Sequence, residues 1–261
     1  MNILFIGDVI GRPGRRILTR VLGELLEECN AGLAIVNAEN AAGGFGMSRQ
    51  IHDQLVGIGV DVLTTGNHVW DRKDFIPEIE SCERLLRPAN FAPGAPGKGW
   101  IVVESEQGPV AVINLEGRVY MQPVDCPFRA ADRVLEEIDP DVRIKIVDFH
   151  AEATSEKVAM GHYLDGRVTA VIGTHTHVQT ADARILPQGT AYISDVGMTG
   201  PRDSVIGVKI QPVLDRFLTG MPHRFETASG PIELNAACIA CDPGTGRATG
   251  ITPLRRELEA E

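Results

Sequence analysis

At 261 residues with 43% hydrophobic content, the chain suits one large domain or two small ones, since single cores stop growing near roughly 250–300 residues. Its 35 acidic and 25 basic side chains give a formal charge of −10, which repels phosphate backbones at long range and argues against stable, nonspecific nucleic-acid binding. An odd number of cysteines, no signal-peptide pattern, and no apolar run of the roughly 18–20 residues that cross a bilayer point to a protein of the reducing cytoplasm without membrane contact.

Aromatic residues are only 5%, so the core is expected to come from Val, Ile, Leu and Ala, as in buried strands flanked by helices. MNILFIG is a short apolar run ending at Gly7-Asp8, and residues 12–30 follow with helical spacing at Ile17, Val21, Leu22, Leu25 and Leu26. The pattern repeats: LAIVNAEN, a helix over residues 48–57 with Ser48 as N-cap, DVLTTGNHVW, and a helix near residues 71–81. Prolines and glycines after Arg84 then lead to two strands, GWIVVES and GPVAVINLEG, antiparallel around a Gln107-Gly108 turn. A helix over residues 128–138, the strand RIKIVDFHAE, a helix over residues 154–164 and the strand RVTAVIGTHTH restore the β-α rhythm. The remainder is expected to be mainly strands with one short helix near residues 213–218, the whole forming a single domain over residues 1–261.

The polar residues fall in a regular place. Asp8, Glu39 with Asn40, Asn67 with His68, His150, and His175 with His177 each follow directly on an apolar strand-like run. Ligands of open α/β sheets bind at the carboxyl ends of strands, so five strand ends can converge on one site. In extended or loop backbone His175 and His177 face the same way and can reach one metal or two adjacent metals, although alone they fit a pair of exposed loop histidines equally well. A di-metal site needs roughly five to six ligands per ion and a shared anionic bridge, with the ions about 3.5–4 Å apart. Glu39 is the natural bridge, Asp8 supplies a second negative charge, and imidazoles and amide oxygens complete shells suited to Fe, Mn or Zn rather than Ca.

In this order, GD, an acidic residue with Asn, GNH, a lone His and GTHTH resemble the signature of the calcineurin-like metallophosphoesterases. GDVIGRPGR, NAENAAGGFG, TTGNHVWD, DFHAEATSEK and GTHTHVQTAD are more narrowly similar to the bacterial YmdB-like 2′,3′-cyclic-nucleotide 2′-phosphodiesterases. The superfamily's Asp-x-His is absent, because Val9 and Ile10 follow Asp8; in the YmdB-like subgroup Asn40 fills that gap and Glu39 stands at the bridge. The resemblance implies an α/β sandwich with mixed sheets flanked by helices and a metal site at strand C-terminal ends. It implies two transition-metal ions, one on Asp8, Glu39, Asn40 and His177, the other on Glu39, Asn67, His150 and His175. His68 is then left to protonate the leaving oxygen while a metal-bridging hydroxide attacks phosphorus, or else it packs behind the site. The implied substrate is a 2′,3′-cyclic nucleotide or similar small phosphodiester, cleaved at the 2′ bond to a 3′-nucleotide.

Other elements carry less. GRPGR lacks P-loop spacing, and Arg12 reads either as a phosphate contact or as a solvated arginine. Cys238-Ile-Ala-Cys241 has no second pair and is read as free core thiols. Asp195 follows another strand end and either braces the site or forms a turn, while His52, His162 and His223 match no motif. Two rival readings remain. An amidohydrolase-type enzyme normally carries its HxH first in the chain, whereas here it comes last; a regulatory protein with weak residual activity, acting through a partner, would keep the same ligand set. A homo-oligomer is compatible with the sequence, which does not locate its interface.

Overall fold

In the computed structural model, which describes residues 1–259, the N-terminal part follows the expected β-α repeat; the last two residues of the acidic tail lie outside it. β1 (Asn2–Ile6), α1 (Gly11–Cys29), β2 (Ala31–Asn37), α2 (Arg49–Gly57) and β3 (Val62–Thr64) follow in order, with β1, β2 and β3 paired in parallel. Strand alternation decides what each face meets: Leu4 and Ile6 pack with Ile17, Leu18 and Leu22 of α1, whereas Ile3 and Phe5 turn to the opposite side. Ser48 caps α2 as expected, its hydroxyl accepting from the Ile51 amide at 3.4 Å.

The helix expected over residues 71–81 is instead a run of turns closing in a short 3₁₀ segment, Ile76–Ser81. Pro77 removes a helical donor, and Phe75 and Ile79 alone give an apolar stripe too narrow to hold a longer α-helix. β4 (Trp100–Ser105) and β5 (Gly108–Glu116) form the expected antiparallel pair. Their turn is Glu106-Gln107, one residue earlier than the spacing suggested, because Gly108 supplies a φ of +113° as the first residue of β5.

β6 (Ile144–His150), β7 (Ala170–Thr174) and β9 (Ala191–Ile193) continue from β5 in parallel, and the two-residue β8 (Arg184–Ile185) closes the edge, giving the order β4-β5-β6-β7-β9-β8. α3 (Pro127–Glu137) and α4 (Thr154–Leu164) connect these strands and cover their outer face. The chain then returns to the first sheet through β10 (Thr199–Pro201), α5 (Ile210–Thr219), β11 (Ile232–Cys241) and β12 (Ala248–Leu258), with β11 antiparallel to β1. Two six-stranded mixed sheets therefore face each other. Between them Ile3, Phe5 and Ile35 meet Val112, Ile146 and Ile172, so the layers run helix, sheet, sheet, helix, as the α/β class and the mixed-sheet sandwich required.

Cys238 and Cys241 lie three residues apart on β11 and so face opposite sides of the sheet; one packs toward α1, the other between the sheets. All five cysteines are free thiols. Among the described residues no helix is long and apolar enough to cross a membrane.

Candidate metal centre

Strand ends from both sheets meet at one place. His150 ends β6, and its Nε2 atom lies 3.0 Å from Glu39 Oε1 beyond β2, 3.0 Å from Asn67 Oδ1 beyond β3, and 3.0 Å from His175 Nδ1 beyond β7. Asp8, beyond β1, places Oδ1 3.9 Å from His177 Nε2. Two groups of potential ligands result, Glu39 with His150 and His175, and Asp8 with Glu39 and His177, in each of which the donor atoms lie within 4.8 Å of one another. Glu39 is common to both, the position a bridge must hold.

Three acceptors show what this cluster lacks. Asp8 Oδ1, Glu39 Oε1 and Asn40 Oδ1 are buried and receive no hydrogen bond. An unsatisfied buried polar atom costs about 1–3 kcal/mol, so three such oxygens, those of Asp8 and Glu39 within 4 Å of imidazole nitrogens, call for a cation. Asn40 is oriented by its own amide: Nδ2 donates to the Gly44 carbonyl at 3.0 Å, which leaves Oδ1 for the site. The 3.0 Å spacings around His150 Nε2 also match two ligands at about 2.1 Å from one ion at a right angle, which stand roughly 3.0 Å apart. Charge says the same. Burial pushes the Asp8 carboxyl up and would do so for Glu39, but the His150, His68 and His175 imidazoles hold Glu39 down at about 2. Burial opposes a charge on His150, yet Glu39, Asp8 and Asp148 raise it to about 9: the carboxylates draw positive charge into the cluster. The residues therefore fit metal ions.

The ligands are held by residues the sequence reading passed over. Asp148 lies inside β6, fully buried, and accepts from Thr174 Oγ1 at 2.7 Å, from Asn37 Nδ2 at 3.0 Å and from Thr64 Oγ1. Because Thr174 spends its one proton on Asp148, its oxygen must accept from His150 Nδ1 at 2.9 Å, so Nε2 is the nitrogen left to give its lone pair to an ion, which would displace its proton. Thr174→Val, which keeps the shape and removes the hydroxyl, is expected to weaken metal affinity roughly 10–100-fold in a chelator competition, with the fold intact by circular dichroism. Gly66 is needed for contact: a Cβ there would lie 2.1 Å from the His150 ring.

Asp195 takes both of its expected roles: Oδ1 accepts from the Gly197 amide at 2.9 Å in a local turn, and Oδ2 braces the His175–His177 segment. His175 and His177 both take positive φ, 99° and 67°, a conformation costly for residues with a side chain. Between them Thr176 donates its amide at 2.9 Å and its hydroxyl at 2.8 Å to Asp195 Oδ2, which also receives Lys157 Nζ at 2.7 Å. Lys157 is the further residue that sequence reasoning missed; its place on α4 gives no sign that it points inward.

His68 stands beside the cluster. Its amide donates to Glu39 Oε2 at 3.2 Å, and its Nδ1 donates to the Asp71 carboxylate at 2.8 Å, leaving Nε2 free. The ring lines a cavity of about 510 Å³ with Glu39, Asn40, His175 and His177 on its floor. Phe45, Val213, Phe217 and Phe225 form an apolar wall, with Arg216 over the Phe225 ring at 5.2 Å. Phe45 and Gly44 belong to the AAGGFG loop, which is thus part of the rim, whereas Arg12 is exposed and absent from this lining.

Known proteins carry the same architecture. The chain is 47% identical over 251 residues to a 2′,3′-cyclic-nucleotide 2′-phosphodiesterase of Bacillus subtilis (strain 168), covering 96% of this chain and 95% of the relative. A crystal structure of a hypothetical protein from Thermus thermophilus matches with a TM-score of 0.92 at 45% identity, covering 98% of this chain and 99% of that one. A second, described as a novel phosphatase of Mycoplasma pneumoniae, matches with a TM-score of 0.94 at 36% identity over 100% of this chain and 94% of that one. The model of the YmdB-like protein family aligns with residues 4–254, from the first strand that feeds Asp8 to the last strand of the first sheet, and the chain belongs to that family.

Proposed function

We propose that this enzyme hydrolyses small phosphodiesters at a two-metal centre, and that its substrates are 2′,3′-cyclic nucleotides opened at the 2′ bond to leave 3′-nucleotides. The observation that supports the metal centre is the trio of buried, donor-less oxygens on Asp8, Glu39 and Asn40, of which Glu39 and Asn40 line the cavity together with His68, His175 and His177. A phosphodiesterase activity follows from the relatives, which are named phosphodiesterase or phosphatase. The substrate class is supported by the name of the Bacillus subtilis relative and by an apolar, partly aromatic wall that offers a face to a base.

Asp8, Glu39, Asn40 and His177 would hold one ion and Glu39, Asn67, His150 and His175 the other, a mixed oxygen and nitrogen set suited to Fe or Mn, with Zn also compatible. Such ions, when bound, acidify a water and clamp the phosphoryl oxygens while charge builds up as the P–O bond breaks. The chain's own residues do the rest. His68 lines the cavity and, in its doubly protonated form, gives the Nε2 proton to the 2′ oxygen as the P–O2′ bond breaks, while Asp71 fixes the ring through Nδ1.

The test is His68→Ala, assayed beside wild type for metal content and for two substrates. Metal content should stay unchanged while cyclic-nucleotide turnover falls roughly 10²–10⁴-fold, the usual size of a general acid's contribution. A bis(4-nitrophenyl) phosphate ester, whose leaving group needs no proton, should lose far less. Equal losses on both substrates would remove His68 from the donor role. A metal-loaded wild type that hydrolyses no phosphodiester would remove the reading itself.

A further inference from the structure

The end of the second sheet opposite the metal centre, where β6 and β7 begin, is at odds with the charge of the chain. Four segments meet there: Arg143 and Lys145 at the start of β6, Gly166 to Val168 ahead of β7, Gly189 between β8 and β9, and Thr245 to Arg247 in the β11–β12 hairpin. They enclose a cleft of about 350 Å³ lined by Arg143, Lys145, Arg167 and Arg247 and by no carboxylate. In a chain of formal charge −10, four cations from three separate segments converging on one concave surface are not the average surface.

Most of this charge is not neutralised within the protein. Arg167 is committed, pairing with Asp132 at 2.7 Å and lying over the Tyr163 ring. Arg143 donates only to the Gly244 carbonyl at 2.7 Å, and Lys145 to the Val142 carbonyl. No carboxylate forms an ion pair with Arg143, Lys145 or Arg247 among the described residues, and the Arg247 guanidinium makes no hydrogen bond there. Burial and the neighbouring Arg143 guanidinium hold the Lys145 ammonium below the usual lysine range, so like charges repel across the cleft. The approach of the hairpin is itself fixed: Gly246, at φ +72°, lies where a Cβ would stand 2.1 Å from the Arg143 carbonyl oxygen.

We propose that this cleft binds a small, multiply charged phosphate anion, of the pyrophosphate or phosphate-monoester class, held by Arg143, Lys145 and Arg247. Guanidinium groups match phosphate oxygens in bidentate fashion, and a ligand of charge two or more relieves the repulsion between the three cations. No aromatic side chain lines the cleft, so it offers no stacking platform for a nucleic-acid strand. β6 separates it from His150 by about 20 Å, at roughly 3.3 Å per residue, so it is a site apart from the metal centre.

Isothermal titration of the full-length protein with inorganic pyrophosphate tests this, using wild type, Arg143→Gln/Arg247→Gln and Glu39→Ala, the last to disable the metal centre. The expected result is a saturable site that persists in Glu39→Ala and weakens roughly tenfold or more for each arginine removed. Arg247 is exposed, so Arg247→Gln alone carries the same test should the double variant fold poorly. Binding that is unchanged in the arginine variants, or abolished by Glu39→Ala, places the anion at the metal centre and overturns the proposal. So does binding of a single-stranded oligonucleotide with none of pyrophosphate.

Discussion

Glu39→Ala is expected to leave a folded protein that neither retains stoichiometric metal nor turns over a phosphodiester. Glu39 is the one residue shared by both candidate ligand groups, and it is fully buried with Oε1 lacking a donor. If the two groups each hold an ion as proposed, its removal would take a ligand from both and delete one of the two carboxylates that offset their charge, so the loss should exceed that of any histidine. About 4 kcal/mol of transition-state stabilisation, roughly a thousandfold in rate, is the minimum expected. Stability gives an independent readout. Metals that bind only the folded chain add RT ln(1 + [L]/Kd), about 4 kcal/mol at a thousandfold excess over Kd, so a chelator should lower the wild-type melting temperature. The same chelator should leave Glu39→Ala unmoved. Elemental analysis and paired melts measure both effects; a variant that keeps two metals would sink the bridge assignment.

Six of the seven ligand candidates could be read from the sequence because each sits where an apolar run stops, whereas Asn40 rests mainly on the subgroup resemblance that fills the missing Asp-x-His histidine. Asp8 after LFIG, Glu39 after AIVNA and His150 at the end of IVDFH are polar residues at strand exits, and the structure brings these exits together. Residues that orient the ligands carry no such mark. Asp148 sits two residues before His150 within the same strand, and its significance depends on Thr174, a residue of a neighbouring strand. Lys157 lies in a helix whose polar and apolar residues are too mixed to tell an inward lysine from a solvated one. Sheet membership was equally hidden: β11 lies beside β1 although more than two hundred residues separate them, a pairing set by burial of Phe5 and Ile239 between the sheets. The basic cleft is assembled from four segments, none of which is a charge run in the sequence.

Lys157→Met is expected to destabilise the fold by about 3–5 kcal/mol, the usual cost of breaking a buried ion pair from one side. The Lys157 and Asp195 side chains are only 2% and 1% exposed, so water cannot replace the lost ammonium. Methionine keeps much of the stem volume, which confines the damage to charge. Asp195 would then hold a buried negative charge supported only by neutral donors: the Thr176 amide and hydroxyl and the Gly197 amide at 2.9 Å. Those same bonds hold Thr176 between two histidines in positive-φ conformations, each costing about 1–3 kcal/mol to maintain. Lys157→Met should therefore weaken metal affinity as well as stability, although the lysine is not a candidate ligand. Adding Asp195→Asn should recover much of the stability, because a neutral pair removes the stranded charge. It should not recover the metal affinity, because an amide cannot accept from Thr176 and Gly197 as the carboxylate does. Denaturant titration of the two singles and the double gives the coupling, and chelator competition gives the affinity. A cost below about 1 kcal/mol for Lys157→Met would mean that the pair is solvated, and that the histidine loop is held by something other than Asp195.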